Sequence, residues 1–495
     1  MSDQYLTLRK MHQFLPESKL VNVDNTKLDV PLKFIATDSR KINKNDFFIA
    51  ICGEKFDGNQ FLDEIFKKGA IAALASNREC IPQNCPVLLV KDTLIALQQI
   101  AKQWRMELNP IATLVTGSNG KTTVKEMIAS IFSEYFGQEH YLATFGNLNN
   151  EIGLPLTLLG LHQQHQAAVI ELGMNHPGET QFLANITQPN IVLINNAQRE
   201  HQEFMHTVEA VAVEHGDAIK ALQPKGTAVF PADSEYTKVW RQLAQHHQYI
   251  DFELIQEPHI SDAAAYGYWI RDGLLEIQLP RLLEDIQAQV IQVRLSTLGD
   301  HNAKNAIAAA AVAHAVKVDH LAICRGLEKF KPVHGRMQSH ELPSFGKLGW
   351  LIDDSYNANP DSVIAAIDVL AKLSGRRWLI LGDMGEVGDK GDVFHEEIGI
   401  YAKRKGIHHL YATGELAIRA VEGFQSWNDE SALDQKSLGL HFKEPKALLK
   451  YLKHDLQTYQ SNLSKVEVAV LVKGSRFTKM ERIVNCLLKE ESLCF

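Results

Sequence analysis

Short apolar runs alternate with longer amphipathic stretches along most of this chain. The runs at 111–115, 167–172 and 190–195 have the length and composition of buried strands. Between the first two lies 124–136, which has the character of a helix. Regular alternation of strands and helices is typical of a parallel sheet covered by helices. The pattern therefore predicts an α/β protein.

The same alternation falls into successive sections, and 495 residues are too many for one hydrophobic core. We predict three domains, at 1–108, 109–330 and 331–495. The middle one is expected to contain a mostly parallel sheet, with an antiparallel extension at 251–291. The third is predicted to repeat the pattern, with strands near 350–353, 378–381, 409–411 and 466–472 and helices near 360–372 and 394–405.

Composition and charge narrow the class of protein. Hydrophobic residues make up 45% and charged residues 22% of the chain, as in soluble globular proteins. A net charge of -8 gives no electrostatic reason to expect nucleic-acid binding. We also expect no membrane insertion, because the longest apolar run, 306–316, is too short to span a bilayer. The scattered cysteines indicate free thiols, and we expect a cytoplasmic monomer.

A glycine-rich run, 116–123, follows the strand at 111–115 and opens the helix at 124–136. Strand, glycine loop and helix in this order form a phosphate cradle, with backbone N–H groups pointing at phosphate oxygens. Lys121 would reach the terminal phosphates and the Thr122 hydroxyl would bind Mg²⁺. An ordinary turn would explain the glycines but not the residues beside them. The predicted nucleotide-binding residues of this loop are Gly117, Ser118, Asn119, Gly120, Lys121, Thr122 and Thr123.

Two further residues follow neighbouring strands. Glu171 ends the apolar run at 167–172, where a carboxylate beside the phosphate loop could bind the same Mg²⁺. His201 follows the next strand. A lone histidine there is more often structural, but its place at the ligand-facing edge of the sheet makes it a candidate.

Three polar clusters are candidate substrate contacts. Asn149 and Asn150 lie in an amide-rich segment that is either a helix-capping turn or a substrate-binding loop. The segment 353–360 follows a strand and precedes a helix, and 473–476 repeats the strand–glycine–helix theme in a form suited to an anion. A plain basic turn is the alternative for the second. Because both lie far from Lys121 in sequence, a site that joins them must form between domains.

Together these motifs resemble the Mur ligases. The resemblance rests on 116–123, 147–155, 171–178, 301–302, 353–360 and 473–476, and it extends back to 37–40 and 53–58, so it covers nearly the whole chain. Within the family, 174–179, 353–360 and 381–386 are similar to the member that joins D-alanyl-D-alanine to UDP-N-acetylmuramoyl-tripeptide.

The resemblance implies an N-terminal domain for the UDP end, a central P-loop ATPase and a C-terminal Rossmann-like domain for the dipeptide. It implies ATP and Mg²⁺ as cofactors and an acyl phosphate as intermediate. Matched by position, Lys121, Glu171 and His201 would be catalytic, and Thr122, Glu171 and His201 would bind metal. Further nucleotide contacts would be Asn302, Arg336 and Asp354. Substrate contacts would be Ser39, Arg40, Asn149, Asn150, Asn357, Asn359, Lys473 and Ser475.

One position departs from the family pattern. Members commonly have a carbamylated lysine that helps to bind a second Mg²⁺, and His215 occupies the corresponding place here. Histidine forms no stable carbamate, and neutral imidazole is a poor magnesium ligand. We hypothesise that Glu214 or Asp217 supplies the missing oxygen, or that the second metal is held more loosely.

Three rival functions share part of this pattern. The Mur ligase that adds the third amino acid has, in its diaminopimelate-adding form, an Asp-Asn-Pro-Arg motif that is absent here. Folylpolyglutamate synthase shares the phosphate loop but not the later motifs. A P-loop switch would hydrolyse ATP without forming a peptide bond. Whether the tripeptide ends in diaminopimelate or lysine stays open.

Overall fold

A computed structural model describes residues 5–32, 34–53, 56–257, 261–270, 273–280, 289–427, 437–462 and 467–489. Parts of the predicted elements at 251–291 and 466–472 lie outside these residues, as do Glu54 and Lys55 of the 53–58 motif. Three separate sheets divide the described chain into three α/β domains, and an additional two-stranded hairpin accompanies the first.

The N-terminal domain has a five-stranded sheet in the order β1-β7-β6-β3-β2, parallel except where β1 pairs with β7. Its strands are β1 Lys19–Val21, β2 Ile35–Ala36, β3 Phe47–Ile49, β4 Cys52–Gly53, β5 Phe56–Asp57, β6 Ala72–Ala75 and β7 Val87–Leu89. Its helices are α1 Leu8–Phe14, α2 Asn25–Leu28, α3 Leu62–Lys67 and α4 Thr93–Leu108.

The central domain has a nine-stranded sheet in the order β16-β15-β14-β13-β12-β11-β8-β10-β9. Its strands are β8 Ile111–Thr116, β9 Tyr141–Ala143, β10 Ala167–Glu171, β11 Ile191–Ile194, β12 Thr227–Pro231, β13 Gln248–Leu254, β14 Ala265–Trp269, β15 Leu274–Leu279 and β16 Gln289–Arg294. Its helices are α5 Lys121–Phe136, α6 Gly153–Leu159, α7 Glu179–Thr187, α8 Gln202–Met205, α9 Val208–Gly216, α10 Thr237–Leu243, α11 Asp300–Ala315 and α12 His320–Lys329.

The expected antiparallel extension is confirmed only in part. Strands β15 and β16 are antiparallel to their neighbours, but β13 and β14, which begin the segment, continue the parallel sheet from β12. Helix α5 begins at Lys121, three residues before the predicted 124–136, because the glycine loop leads directly into its first turn. Its buried face, including Val124, Met127, Ile128 and Ile131, shares one core with the alanine-rich α11.

The C-terminal domain has a six-stranded sheet in the order β17-β18-β22-β19-β20-β21, parallel except for the β17–β18 hairpin. Its strands are β17 Gln338–Leu342, β18 Gly346–Asp354, β19 Arg376–Gly382, β20 His409–Thr413, β21 Leu438–Phe442 and β22 Val468–Lys473. Its helices are α13 Pro360–Lys372, α14 Gly391–Arg404, α15 Ala417–Ser426, α16 Pro445–Asn462 and α17 Glu481–Leu488.

The expected α/β class and the parallel character of the second and third sheets are confirmed. The three sheets fall within the predicted sections, whereas the boundaries at 108 and 330 stay predictions. Within the described ranges, no helix combines the length and apolar character that crossing a membrane would need.

Candidate active site

The central and C-terminal domains enclose a cavity of about 1040 Å³. The central domain contributes the phosphate loop and the segments that follow β10 and β11. The C-terminal domain contributes the segments that follow β18 and β22. Ligands of open α/β sheets bind outside the carboxyl ends of the strands, so both sheets present their ligand-binding edge to the same space.

The phosphate loop needs glycine at two positions. Gly117 and Gly120 have φ angles of +131° and +77°, which side-chain-bearing residues rarely adopt. A Cβ atom at Gly120 would also lie only 2.7 Å from Asn305 Oδ1 and 2.8 Å from Asn195 Nδ2. Gly120 precedes the first turn of α5, so the N–H groups of that turn lack intrahelical partners, and the residues of that turn line the cavity.

Lys121 is held close to the loop that it follows. Its Nζ donates to the carbonyl oxygen of Gly117 and, at 3.3 Å, to that of Ser118. The same Nζ lies 3.3 Å from Glu200 Oε2. The charge predicted for phosphate binding is therefore positioned on the cavity wall beside a buried carboxylate.

Glu171 has a carboxylate oxygen with no protein partner. Its Oε1 accepts a hydrogen bond of 2.9 Å from Asn149 Nδ2, whereas its buried Oε2 has none among the described residues. The residue is only 3% exposed and shares the cavity wall with Thr122. An orphaned buried carboxylate oxygen is destabilising on its own, and a cation would satisfy it.

A divalent cation therefore fits this wall, although not as an all-protein cage. No group of three His, Cys, Asp or Glu side chains arranged to hold a metal ion occurs in the described part of the chain. Magnesium at nucleotide sites is bound by one or two carboxylates together with substrate phosphates, and the hydroxyl of Thr122 and the free oxygen of Glu171 suit that arrangement.

His201 joins the two domains across the cavity. Its Nδ1 lies 2.7 Å from Glu386 Oε2 in the C-terminal domain, and its Nε2 lies 3.8 Å from Glu200 Oε2. The close approach of His201 lowers the pKa of Glu386 below its ordinary value, against the opposing effect of burial. The imidazole thus contacts a carboxylate on each side.

Glu200 and His215 form a buried pair behind Lys121. His215 is fully buried, with Nε2 2.7 Å from Glu200 Oε1 and Nδ1 2.9 Å from Thr116 Oγ1. Burial alone would raise the pKa of Glu200, but Lys121 and the hydrogen bond from His215 outweigh it and lower that pKa. Glu200 is therefore an ionised carboxylate in the cavity wall.

The hypothesis that Glu214 or Asp217 replaces the carbamylated lysine is wrong in this geometry. The Glu214 carboxylate accepts bonds of 2.8 Å from the backbone N–H groups of Gly178 and Thr180, at the start of α7. Asp217 pairs with Lys220 on the following turn. Neither acid lines the cavity.

The C-terminal candidates are held by contacts within their own domain. Asp354 and Lys473 end neighbouring parallel strands in register, and Lys473 Nζ donates to Asp354 Oδ2 and, at 3.0 Å, to the carbonyl oxygen of Asn357. Ser475 Oγ accepts from the backbone N–H of Gly385 at 2.7 Å. The Arg336 guanidinium stacks 4.1 Å from the centre of the Tyr356 ring.

Three asparagine candidates also have structural roles. Asn150 Oδ1 accepts from the N–H of Gly153 at the start of α6, which matches the capping alternative. Asn302 is buried and donates to Thr297 Oγ1 at 2.9 Å. Asn359 caps α13 and contacts the phosphate loop. All three line the cavity, so these structural roles are compatible with contact to a ligand.

Three candidates lie outside the cavity lining. Gly117 packs against the backbone at Asn195. Ser39 is buried in the N-terminal domain, where its carbonyl oxygen accepts from Lys68 Nζ at 2.9 Å. Arg40 is exposed and pairs with Asp38. The last two belong to a different domain from the cavity, and their predicted contact with a substrate stays a prediction.

Sequence reasoning missed Glu200, His215 as its partner, Glu386 and Arg199. The Arg199 guanidinium binds Asp361 at 2.7 Å and Glu397 at 2.7 Å, which joins the central domain to α13 and α14. The available signal was position, since Arg199 and Glu200 lie in the polar run that follows β11 at the ligand edge.

Comparison with known proteins supports this architecture. The Mur ligase middle domain matches residues 115–313, the Mur ligase glutamate ligase domain 335–476, and the Mur ligase family catalytic domain 31–105. A Haemophilus influenzae protein named UDP-N-acetylmuramoyl-tripeptide–D-alanyl-D-alanine ligase is 35% identical over 485 residues, 97% of each chain.

Two solved structures give the same result. The crystal structure of MurF from Acinetobacter baumannii is 30% identical, covers 99% of this chain and 100% of its own, and superposes with a TM-score of 0.83. The MurF ligase from Thermotoga maritima, solved in complex with ADP, shares the fold at 23% identity, with a TM-score of 0.73 and coverage of 92% and 97%. Relatives that are 30–35% identical cover nearly the whole chain, and three Mur ligase domain models match it. Its phosphate loop faces the edge of the C-terminal sheet. The chain therefore belongs to the Mur ligase family.

Proposed function

We propose that this chain is an ATP-dependent ligase that joins D-alanyl-D-alanine to UDP-N-acetylmuramoyl-tripeptide in peptidoglycan precursor synthesis. The observation that carries the proposal is that the phosphate loop with Lys121 and the Asp354–Lys473 pair line one cavity between two domains. The name shared by its full-length relatives supports this choice of substrates.

The reaction forms one amide bond in two steps. The terminal carboxylate of the tripeptide attacks the γ-phosphorus of ATP, the bond to the β-phosphate oxygen breaks, and ADP leaves. The amine of D-alanyl-D-alanine then attacks the acyl carbon, loses a proton, and expels inorganic phosphate. Phosphoryl transfer depends on positioning and charge neutralisation, and enclosure between two domains limits loss of the acyl phosphate to water.

Each side of the cavity has a defined part in this proposal. The loop residues Ser118 to Thr123 bind the phosphates, with Lys121 neutralising the charge that develops on the transferred group. Thr122, Glu171 and His201 are the residues that would hold Mg²⁺, and the free Oε2 of Glu171 supports that assignment. Bound there, Mg²⁺ would neutralise phosphate charge.

The remaining candidates divide between nucleotide and peptide. We assign Asn302 to the adenine side, and Arg336 and Asp354 to contacts with the nucleotide from the C-terminal domain. The peptide substrates are assigned to Asn149, Asn150, Asn357, Asn359, Lys473 and Ser475. Ser39 and Arg40 are assigned to the uridine nucleotide. In domain terms, 1–108 would bind the UDP end, 109–330 ATP, and 331–495 the dipeptide.

We also propose a cytoplasmic monomer. The described cysteines are free thiols, which suits a reducing compartment. Light scattering of the purified chain at several concentrations tests the oligomeric state, and a mass of twice the chain mass would contradict it.

The activity is tested by phosphate release with each substrate omitted in turn. We expect release only when UDP-N-acetylmuramoyl-tripeptide and D-alanyl-D-alanine are both present, and a rate at least about 100-fold lower for Lys121→Met. The surface substitution Lys91→Met is the matched control. Release that ignores both substrates would instead indicate a nucleotide switch. Tripeptides ending in diaminopimelate and in lysine, compared in this assay, determine the third residue.

A further inference from the structure

Glu200 places a carboxylate in the cavity wall, where side-chain contacts fix its position. The residue is 6% exposed, lines the cavity, and lies in the segment between β11 and α8. It belongs to no secondary-structure element, so its orientation depends on its side-chain partners.

His215 fixes one oxygen of that carboxylate. His215 Nε2 lies 2.7 Å from Oε1 and is the donor in this contact, since a carboxylate oxygen accepts. The other ring nitrogen is tied to Thr116 Oγ1 at 2.9 Å. Thr116 ends β8 and opens the phosphate loop, so this chain of contacts positions Glu200 relative to the phosphates.

The second oxygen faces two other residues of the cavity lining. Glu200 Oε2 lies 3.3 Å from Lys121 Nζ and 3.8 Å from His201 Nε2. Lys121 is the residue proposed above to bind phosphate, and if its amine turns to a nucleotide, Oε2 is left beside the phosphates without its strongest partner. An independent observation at the same cavity points to a cation, since Glu171 Oε2 is buried and has no partner among the described residues.

We propose that Glu200, oriented by His215, is the carboxylate that this chain presents to a second divalent cation at the nucleotide phosphates. The pair takes the place of the modified lysine that His215 replaces. A glutamate is a permanent oxygen ligand, whereas a carbamate forms reversibly from CO₂. Cation binding by this chain is therefore independent of bicarbonate. The inference rests on the proposed function, because the cation is bound together with ATP.

The test measures binding of Mn²⁺, as a spectroscopic substitute for Mg²⁺, by electron paramagnetic resonance of the full chain with a non-hydrolysable ATP analogue. We expect Glu200→Gln to weaken Mn²⁺ binding by about 10-fold or more. Asp217→Asn, the same chemical change outside the cavity, should leave it unchanged. Wild-type affinity should be equal in CO₂-depleted and bicarbonate-containing buffer. If Glu200→Gln does not fold, Glu200→Asp, which withdraws the oxygen, is measured under the same expectation.

The positioning role of His215 has its own comparison. His215→Gln keeps an N–H donor for Glu200 and should retain most of the Mn²⁺ affinity, whereas His215→Leu should lose about 10-fold. Equal affinities in these two variants would remove His215 from the proposal. Wild-type affinity that rises with bicarbonate, or Glu200→Gln binding as tightly as wild type, would overturn it. Failure of the wild-type chain to bind the ATP analogue would instead overturn the proposed function.

Discussion

Asn359 Nδ2 donates a hydrogen bond of 2.9 Å to Asn119 Oδ1, which joins the phosphate loop to the first turn of α13. The same Asn359 side chain accepts from the N–H of Ser362 at 2.9 Å and completes a capping box. One residue therefore stabilises a helix of the C-terminal domain and contacts the nucleotide loop of the central domain.

Two substitutions at Asn359 separate these roles. Asn359→Asp keeps a capping oxygen but loses the N–H donor to Asn119, so we expect C-terminal domain stability within about 0.5 kcal/mol of wild type and a lower ligation rate. Asn359→Ala loses both, and should also lower the free energy of unfolding by about 1 kcal/mol. Urea denaturation and steady-state ligation are the measurements. An aspartate variant as active as wild type would show that the N–H donor of Asn359 has no part in activity.

The phosphate loop could be predicted from sequence because its determinants are local. Gly117 and Gly120 are required by backbone conformation, and Lys121 and Thr122 follow directly at the start of a helix. The strand ends at Glu171 and Asp354 were predictable for a related reason, since an apolar run followed by polar residues marks the ligand edge of a parallel sheet.

The Glu200–His215 pair could not be predicted in this way. His215 Nδ1 bonds to Thr116, 99 positions earlier, and the residue sits inside α9 with nothing in its neighbours to distinguish it. Glu214 and Asp217 were the better candidates by charge alone. Their actual partners are backbone N–H groups at the start of α7, which packs against α9, and the side chain of Lys220 on the next turn.

Arg199 should be important for holding the two catalytic domains together. Its guanidinium binds Asp361 and Glu397 and stacks 5.2 Å from the Phe394 ring, and the side chain is 20% exposed. We expect Arg199→Met to reduce the ligation rate, and to show coupling of about 1–3 kcal/mol with Asp361→Asn in a double-mutant cycle of thermal stability. Arg325→Met, at an exposed arginine, is the control. If the stability effects of the two substitutions simply add, Arg199 and Asp361 do not stabilise each other.

His165 should make stability depend on pH. Burial, followed by the neighbouring charges of His162 and His140, lowers its pKa from the ordinary 6.5 to about 4. Its Nδ1 accepts a 3.0 Å hydrogen bond from the His162 N–H, which a protonated ring could not do. The unfolded chain therefore binds the proton first as pH falls, so this stabilisation is complete above pH 6.5 and is lost between 6.5 and about 4.

The variant His165→Asn keeps an acceptor for the His162 N–H without titrating. After allowance for solvent screening of a half-buried group, we expect wild type to lose about 1 kcal/mol more than this variant between pH 7 and pH 4.5. Urea midpoints at both pH values are the measurement, with His246→Asn at an exposed histidine as control. Parallel pH curves for wild type and His165→Asn would show that the ring titrates normally.

Glu171→Gln should lower the ligation rate without lowering the stability of the fold. The wild-type residue keeps a charged carboxylate in the cavity wall with Oε2 unpartnered among the described residues, and such a group opposes folding. Glutamine has nearly the same shape, can still accept from Asn149 through its carbonyl oxygen, and carries no charge. In buffer containing EDTA, where no cation offsets the charge, we therefore expect a melting temperature equal to or above that of wild type.

The ligation rate should fall by at least about 100-fold at any Mg²⁺ concentration, because a neutral amide is a poor magnesium ligand. Addition of Mg²⁺ and an ATP analogue should then raise the melting temperature of wild type more than that of the variant. A variant that is less stable in EDTA yet fully active would mean that Glu171 serves the fold through Asn149 rather than the cation.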